Sequence, residues 1–120
     1  MARKILVVDD SATEMAVMSN SLKAEGFQVT TASNGEEALS QLEHDTPDAI
    51  VLDVIMPGRN GFQLCRQIRN DARWSKVPIV LVTSKDQESD RFWGMKQGAS
   101  DYLTKPFAPA SLIEAVRRFV

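Results

Sequence analysis

The chain has 120 residues, of which 43% are hydrophobic, and a formal net charge of -2. That length suits one domain able to fill one core, and an acidic balance with a pI near 5.4 excludes the basic stripe of a general nucleic-acid binder. Cys65 is the lone cysteine and cannot close an internal disulfide; with no signal-peptide pattern and no apolar run of ~18 residues, the chain reads as cytoplasmic, without a membrane segment.

Lys4 to Val8 reads as a first strand, followed by the adjacent acids Asp9 and Asp10 where the chain should turn. Ser11 and Glu14 have capping-box spacing, Met15, Met18 and Leu22 recur at helical intervals, and Gly26 suits the position after the last turn, giving a helix over roughly Ala12 to Glu25. Gly26 to Ala32 alternates like a strand near a sheet edge. Asn34 caps a second helix, with Glu37 three residues on and Ala38, Leu39 and Leu42 on its buried side, and Pro47 separates it from the next strand.

Asp48 to Pro57 is the central stretch, an unalternating apolar run that delivers Asp53 at its far end. A strand covered on both faces of a parallel sheet reads this way. Gly58-Arg59-Asn60-Gly61 turns into a third helix with Phe62, Leu64, Cys65 and Ile68 inward; Cys65 is expected in the core, and His44 exposed at a helix end. Asp71 to Lys76 reads as a long connection before Val77-Pro78 and the fourth strand, Ile79 to Val82. Asp86 or a neighbour starts a fourth helix bearing Phe92, Trp93 and Met95, which stops near Gly98; Trp93 fits either core or an exposed docking position. Ser100 to Leu103 forms a short fifth strand, and Pro109 opens a fifth helix whose Leu112, Ile113, Val116 and Phe119 are spaced for burial. Strict β-α alternation with right-handed crossovers predicts a parallel sheet covered on both faces, in one domain over 1–120.

In such a sheet the polar groups after each strand gather at one edge. Asp9, Asp10 and Asp53 would then lie close together, and two like charges at about 4 Å repel by roughly 4 kcal/mol at an effective dielectric near 20, so the cluster requires a cation. Mg²⁺, which Mn²⁺ can replace, suits a few carboxylates, a backbone carbonyl and a phosphoryl oxygen. Lys105 adds positive charge and Thr83 a hydroxyl, describing a phosphoryl pocket with Asp53 as covalent nucleophile.

Four segments in order, Ile5-Leu6-Val7-Val8-Asp9-Asp10-Ser11, Leu52-Asp53-Val54-Ile55-Met56-Pro57 with Gly61, Val82-Thr83-Ser84, and Gly98 to Phe107 including Tyr102, Lys105 and Pro106, resemble a response-regulator receiver domain over essentially the whole chain. The resemblance implies a flavodoxin-like α/β fold with strand order 2-1-3-4-5. It implies that Asp53 is the phosphoacceptor and that Asp10 ligates the metal directly, with Asp9 nearby through water and the Ile55 backbone carbonyl completing the set. Lys105 would bind the phosphoryl group. Thr83 and Tyr102 would form a switching pair, Thr83 moving toward the phosphoryl group while Tyr102 turns inward and reshapes the face of helix four, strand five and helix five. Ile55 and Lys85 fall at the positions that tune phosphoryl lifetime. Ala108 stands where relatives often have a capping Ser or Thr.

Ser84 to Ala99 further resembles the stand-alone receivers of type IV pilus chemotaxis-like systems, which control twitching motility or phototaxis. The implied partners are a histidine kinase or its phosphotransfer domain and a protein target at the pilus or motility machinery. The chain is expected to be a monomer, with a weak dimer as the alternative state, and to be no enzyme beyond slow autodephosphorylation. An excised receiver from another chemotaxis-type or multidomain regulator is the alternative identity.

Other readings fare worse. A haloacid-dehalogenase-like phosphatase needs an acid two residues after the nucleophile, where this chain has Ile55; an FMN carrier would place its anionic phosphate against Asp9 and Asp10. An inactive scaffold would not need the complete set of acids, hydroxyl and lysine.

Overall fold

The computed structural model describes residues 2–120. Five strands, β1 (Lys4–Val8), β2 (Gln28–Ala32), β3 (Ala49–Asp53), β4 (Ile79–Thr83) and β5 (Asp101–Thr104), alternate with α1 (Ala12–Ala24), α2 (Gly35–His44), α3 (Gly61–Arg69), α4 (Glu88–Lys96) and α5 (Pro109–Arg117). All strand pairs are parallel and their order is β2-β1-β3-β4-β5. The expected doubly wound architecture and strand order are both present.

Alternate side chains of the central strands feed two separate cores. Ile5, Val7, Val51, Val80 and Val82 pack with Met18, Leu22, Leu112 and Val116 of α1 and α5. Leu6, Val8, Ile50, Leu52 and Leu81 pack on the other face with Leu42, Leu64 and Ile68 of α2 and α3. Cys65 is fully buried there, its Sγ 3.6 Å from the Gln97 carbonyl, whereas His44 is exposed.

Element ends differ from the sequence reading where bonds between distant residues decide them. Strand β4 starts at Ile79 as expected but runs one residue further, to Thr83, while Ser100 stays outside β5, its N–H given to the Ile79 carbonyl and its hydroxyl taking the Ile79 N–H. Helix α4 begins at Glu88 after Gln87, whose N–H donates to Asp90. Phe119 is 38% exposed rather than buried, because α5 ends at Arg117 and the helical register no longer points it inward. The connection before β4 holds a core residue, Trp74, buried under an Arg73 guanidinium 4.2 Å from its ring. Phe92, Trp93 and Met95 of α4 are exposed, which resolves Trp93 as a surface residue.

Candidate functional site

Register places the candidate groups. Val8 pairs with Leu52, Asp53 with Val82, and Thr83 with Thr104, so the residues that end or follow β1, β3, β4 and β5 emerge side by side. Carboxylate oxygens of Asp9, Asp10 and Asp53 lie within 4.8 Å of one another. Asp9 is fully buried: Oδ1 accepts the Ser11 N–H at 2.9 Å and Oδ2 accepts from Lys105 Nζ at 3.2 Å. Asp10 is exposed, and Asp53, 5% exposed, is reached by the Ile55 N–H at 3.4 Å and by Lys105 Nζ at 3.7 Å.

Close approach of α3 keeps Asp53 in place. The Gly61 N–H donates to the Val54 carbonyl at 2.8 Å, and a Cβ on Gly61 would collide with the Asp53 carbonyl and come within 2.7 Å of Val54 Cα. Only glycine allows the helix to start there. Asn60 and Gln63 then close a complete capping box.

Charge at the site is unbalanced. Burial and then the neighbouring Asp9 charge push the Asp53 carboxyl up to about 6, against the pull of Lys105. Burial opposes the Lys105 ammonium, but the Glu14 hydrogen bond and the charges of Asp53 and Asp9 outweigh it and hold its pKa above the usual lysine value. Three clustered acids, two of them beside one ammonium, with oxygen donors and no His or Cys among them, fit a hard divalent cation such as Mg²⁺.

Thr83 is fully buried, its Oγ1 accepting the Lys85 N–H at 3.1 Å, and the Tyr102 hydroxyl donates to the Lys85 carbonyl at 2.9 Å. The two residues of the expected switching pair are therefore joined through the backbone of Lys85, whose side chain is exposed. Tyr102 is in the inward position, 3% exposed, with burial pushing its phenol up to about 12. Ile55, 51% exposed, shares an open cleft with Asp10, Glu14, Asp53, Ser84 and Lys105.

Glu14 is the residue that sequence reasoning placed elsewhere. Its spacing from Ser11 suggested a capping role, yet its Oε2 takes Lys105 Nζ at 2.8 Å. Nothing local signals a partner so remote in the chain.

Comparisons with known proteins agree with this geometry. Residues 5–117 match the family described as response regulator receiver domain. The chain is 47% identical over 116 residues to protein PilH of Pseudomonas aeruginosa, covering 97% of this chain and 95% of that protein. It is 43% identical over 117 residues to the response regulator PleD of Caulobacter vibrioides, covering 98% of this chain but 26% of PleD. The same identity and chain coverage hold for the alkaline phosphatase synthesis transcriptional regulatory protein PhoP of Bacillus subtilis, of which 48% is covered. Among solved structures, the chemotaxis protein CheY4 of Vibrio cholerae superposes with a TM-score of 0.94 at 32% identity, with all of both chains covered.

Proposed function

Because the chain belongs to the response-regulator receiver domain family of two-component systems, we propose that it accepts a phosphoryl group on Asp53 from a histidine kinase or its phosphotransfer domain and signals by protein contact. The observation that carries this reading is Asp53 at the end of the central strand, 3.7 Å from the Lys105 ammonium and clustered with Asp9 and Asp10. In the transfer, an Asp53 carboxylate oxygen bonds to phosphorus as the phosphorus–nitrogen bond of the donor phosphohistidine breaks. The bonding pair stays on the departing imidazole nitrogen. Release is the attack of water on phosphorus, which returns inorganic phosphate and the Asp53 carboxylate.

Asp9, Asp10 and Asp53, with the Ile55 backbone carbonyl, would hold the ion. Mg²⁺ (or Mn²⁺) when bound supplies positive charge to the phosphoryl oxygens. Lys105 pairs with a phosphoryl oxygen, and the Thr83 hydroxyl donates to another. As Thr83 shifts toward Asp53 it draws on the Lys85 backbone, which anchors the Tyr102 hydroxyl, so the α4-β5-α5 face senses the transfer. Ile55, which lines the cleft, and the exposed Lys85 set how readily water reaches phosphorus. The protein is a switch, with no turnover beyond slow autodephosphorylation.

Likeness to PilH along nearly all of both chains, together with the Ser84 to Ala99 stretch, supports a receiver whose target belongs to the pilus or motility machinery, and we infer that it acts as a monomer in the cytoplasm. A second reading, a receiver joined to an output domain, draws support from PleD and PhoP, which are much longer than the matched segment. Intact-mass measurement after incubation with acetyl phosphate and Mg²⁺ tests the chemistry: the wild type should gain one phosphoryl group and Asp53→Asn none. Equal labelling of both, or of neither, overturns it. Phosphotransfer profiling against the kinases of the source genome tests the partner.

A further inference from the structure

We propose that Glu14 is a positioning residue that competes with the Asp53-bound phosphoryl group for the Lys105 ammonium. The proposal rests on the phosphoacceptor reading above and goes beyond it by assigning a role to a residue outside the acid cluster.

The cause lies at the beginning of α1. A Ser at the cap and a Glu three residues later normally exchange two hydrogen bonds, the hydroxyl taking the Glu N–H and the Glu carboxylate taking the cap N–H. Here only the first is made: Ser11 Oγ accepts the Glu14 N–H at 3.2 Å. The Ser11 N–H is already given to Asp9 Oδ1 at 2.9 Å. That bond releases the Glu14 carboxylate from capping, and it swings across the cleft to Lys105. Helix α3, whose cap N–H has no such competitor, makes both bonds through Asn60 and Gln63.

Lys105 Nζ consequently sits 2.8 Å from Glu14, 3.2 Å from Asp9 and 3.7 Å from Asp53. The shortest of the three pairs is with the acid that takes no part in phosphoryl binding. Asp9 is fixed and buried, while the Glu14 side chain is 50% exposed and free to swing into water. When a phosphoryl group on Asp53 calls for the ammonium, the Glu14 pair is the one that must yield. A half-exposed ion pair is a small obstacle, so the effect is about threefold, equivalent to ~0.7 kcal/mol.

Beryllium fluoride with Mg²⁺, a non-hydrolysed stand-in for the phosphoryl group on Asp53, reads this competition as a binding equilibrium followed by fluorine NMR. Glu14→Gln should tighten binding by about threefold. In a Lys105→Ala background the same change should have no effect, since there is no ammonium left to release. Glu14→Ala provides a second variant that lacks any side-chain acceptor and should match Glu14→Gln. Unchanged or weaker binding in both Glu14 variants overturns the proposal, as does equal tightening with and without Lys105, which would mark a general field effect. If the wild type itself binds no beryllium fluoride, the phosphoacceptor reading fails first, and this role of Glu14 falls with it.

Discussion

At Asp53 the fold works against the charge it displays. Burial and Asp9 raise this carboxyl to about 6, whereas an unfolded-chain aspartate titrates at ~3.9. Between those values the native protein keeps a proton that the unfolded chain has released. Linkage then favours the fold at the acid end of the window, and the advantage disappears as pH rises toward 6. The difference amounts to roughly 2–3 kcal/mol. In chelator at pH 7.5, Asp53→Asn should therefore exceed the wild type in stability to urea by about 2 kcal/mol, and the gap should close at pH ~4. Comparing the two proteins cancels the titration of groups remote from Asp53, leaving its own change together with its effect on Asp9 and Lys105. Adding Mg²⁺ at pH 7.5 should narrow the gap by stabilising the wild type alone; a gap independent of pH and metal would refute the assignment.

Two helix starts show opposite faults and strengths. Ala108 caps α5 with an extended backbone, φ -71° and ψ 143°, and offers no side-chain acceptor. Ala108→Ser should stabilise the protein by about 1 kcal/mol in denaturant titration. Gly61→Ala should lose about 2–3 kcal/mol, because its Cβ meets backbone that cannot swing away, and should slow phosphorylation by displacing Asp53. Most elements were legible in the amino-acid order because their signals are local: unalternating apolar runs for β3 and β4, Asn34 before α2, Pro109 at the start of α5. Their ends were less so: β4 began at Ile79 as read, but the start of β5 depends on bonds between Ile79 and Ser100 across the sheet. Trp74 escaped notice because a turn has no periodicity to mark an inward residue, and Phe119 misled because its helix stops before it.

For the molecule as a whole, the two tryptophans divide core from surface. Trp74 is 4% exposed and Trp93 54%. Trp74→Ala should cost about 3–5 kcal/mol, while Trp93→Ala should stay within ~0.5 kcal/mol and abolish most of the emission that acrylamide quenches. Similar losses from both would contradict the packing. The candidate site was readable in advance for a topological reason: parallel strands carry Asp9, Asp53, Thr83 and Lys105 to one edge whatever the helices do. The Glu14 contact was not, because it depends on a side-chain reach between positions 91 residues apart. Gly94 is the only buried residue of α4, and its bare Cα lets that helix lie against Leu81 and the Tyr102 ring. This segment rests on its backbone while its bulky groups Phe92, Trp93 and Met95 lean into water, so few buried side chains hold it. Movement of an element held this way would fall beside the tyrosine tethered to Lys85 rather than in the fully buried strands β3 and β4.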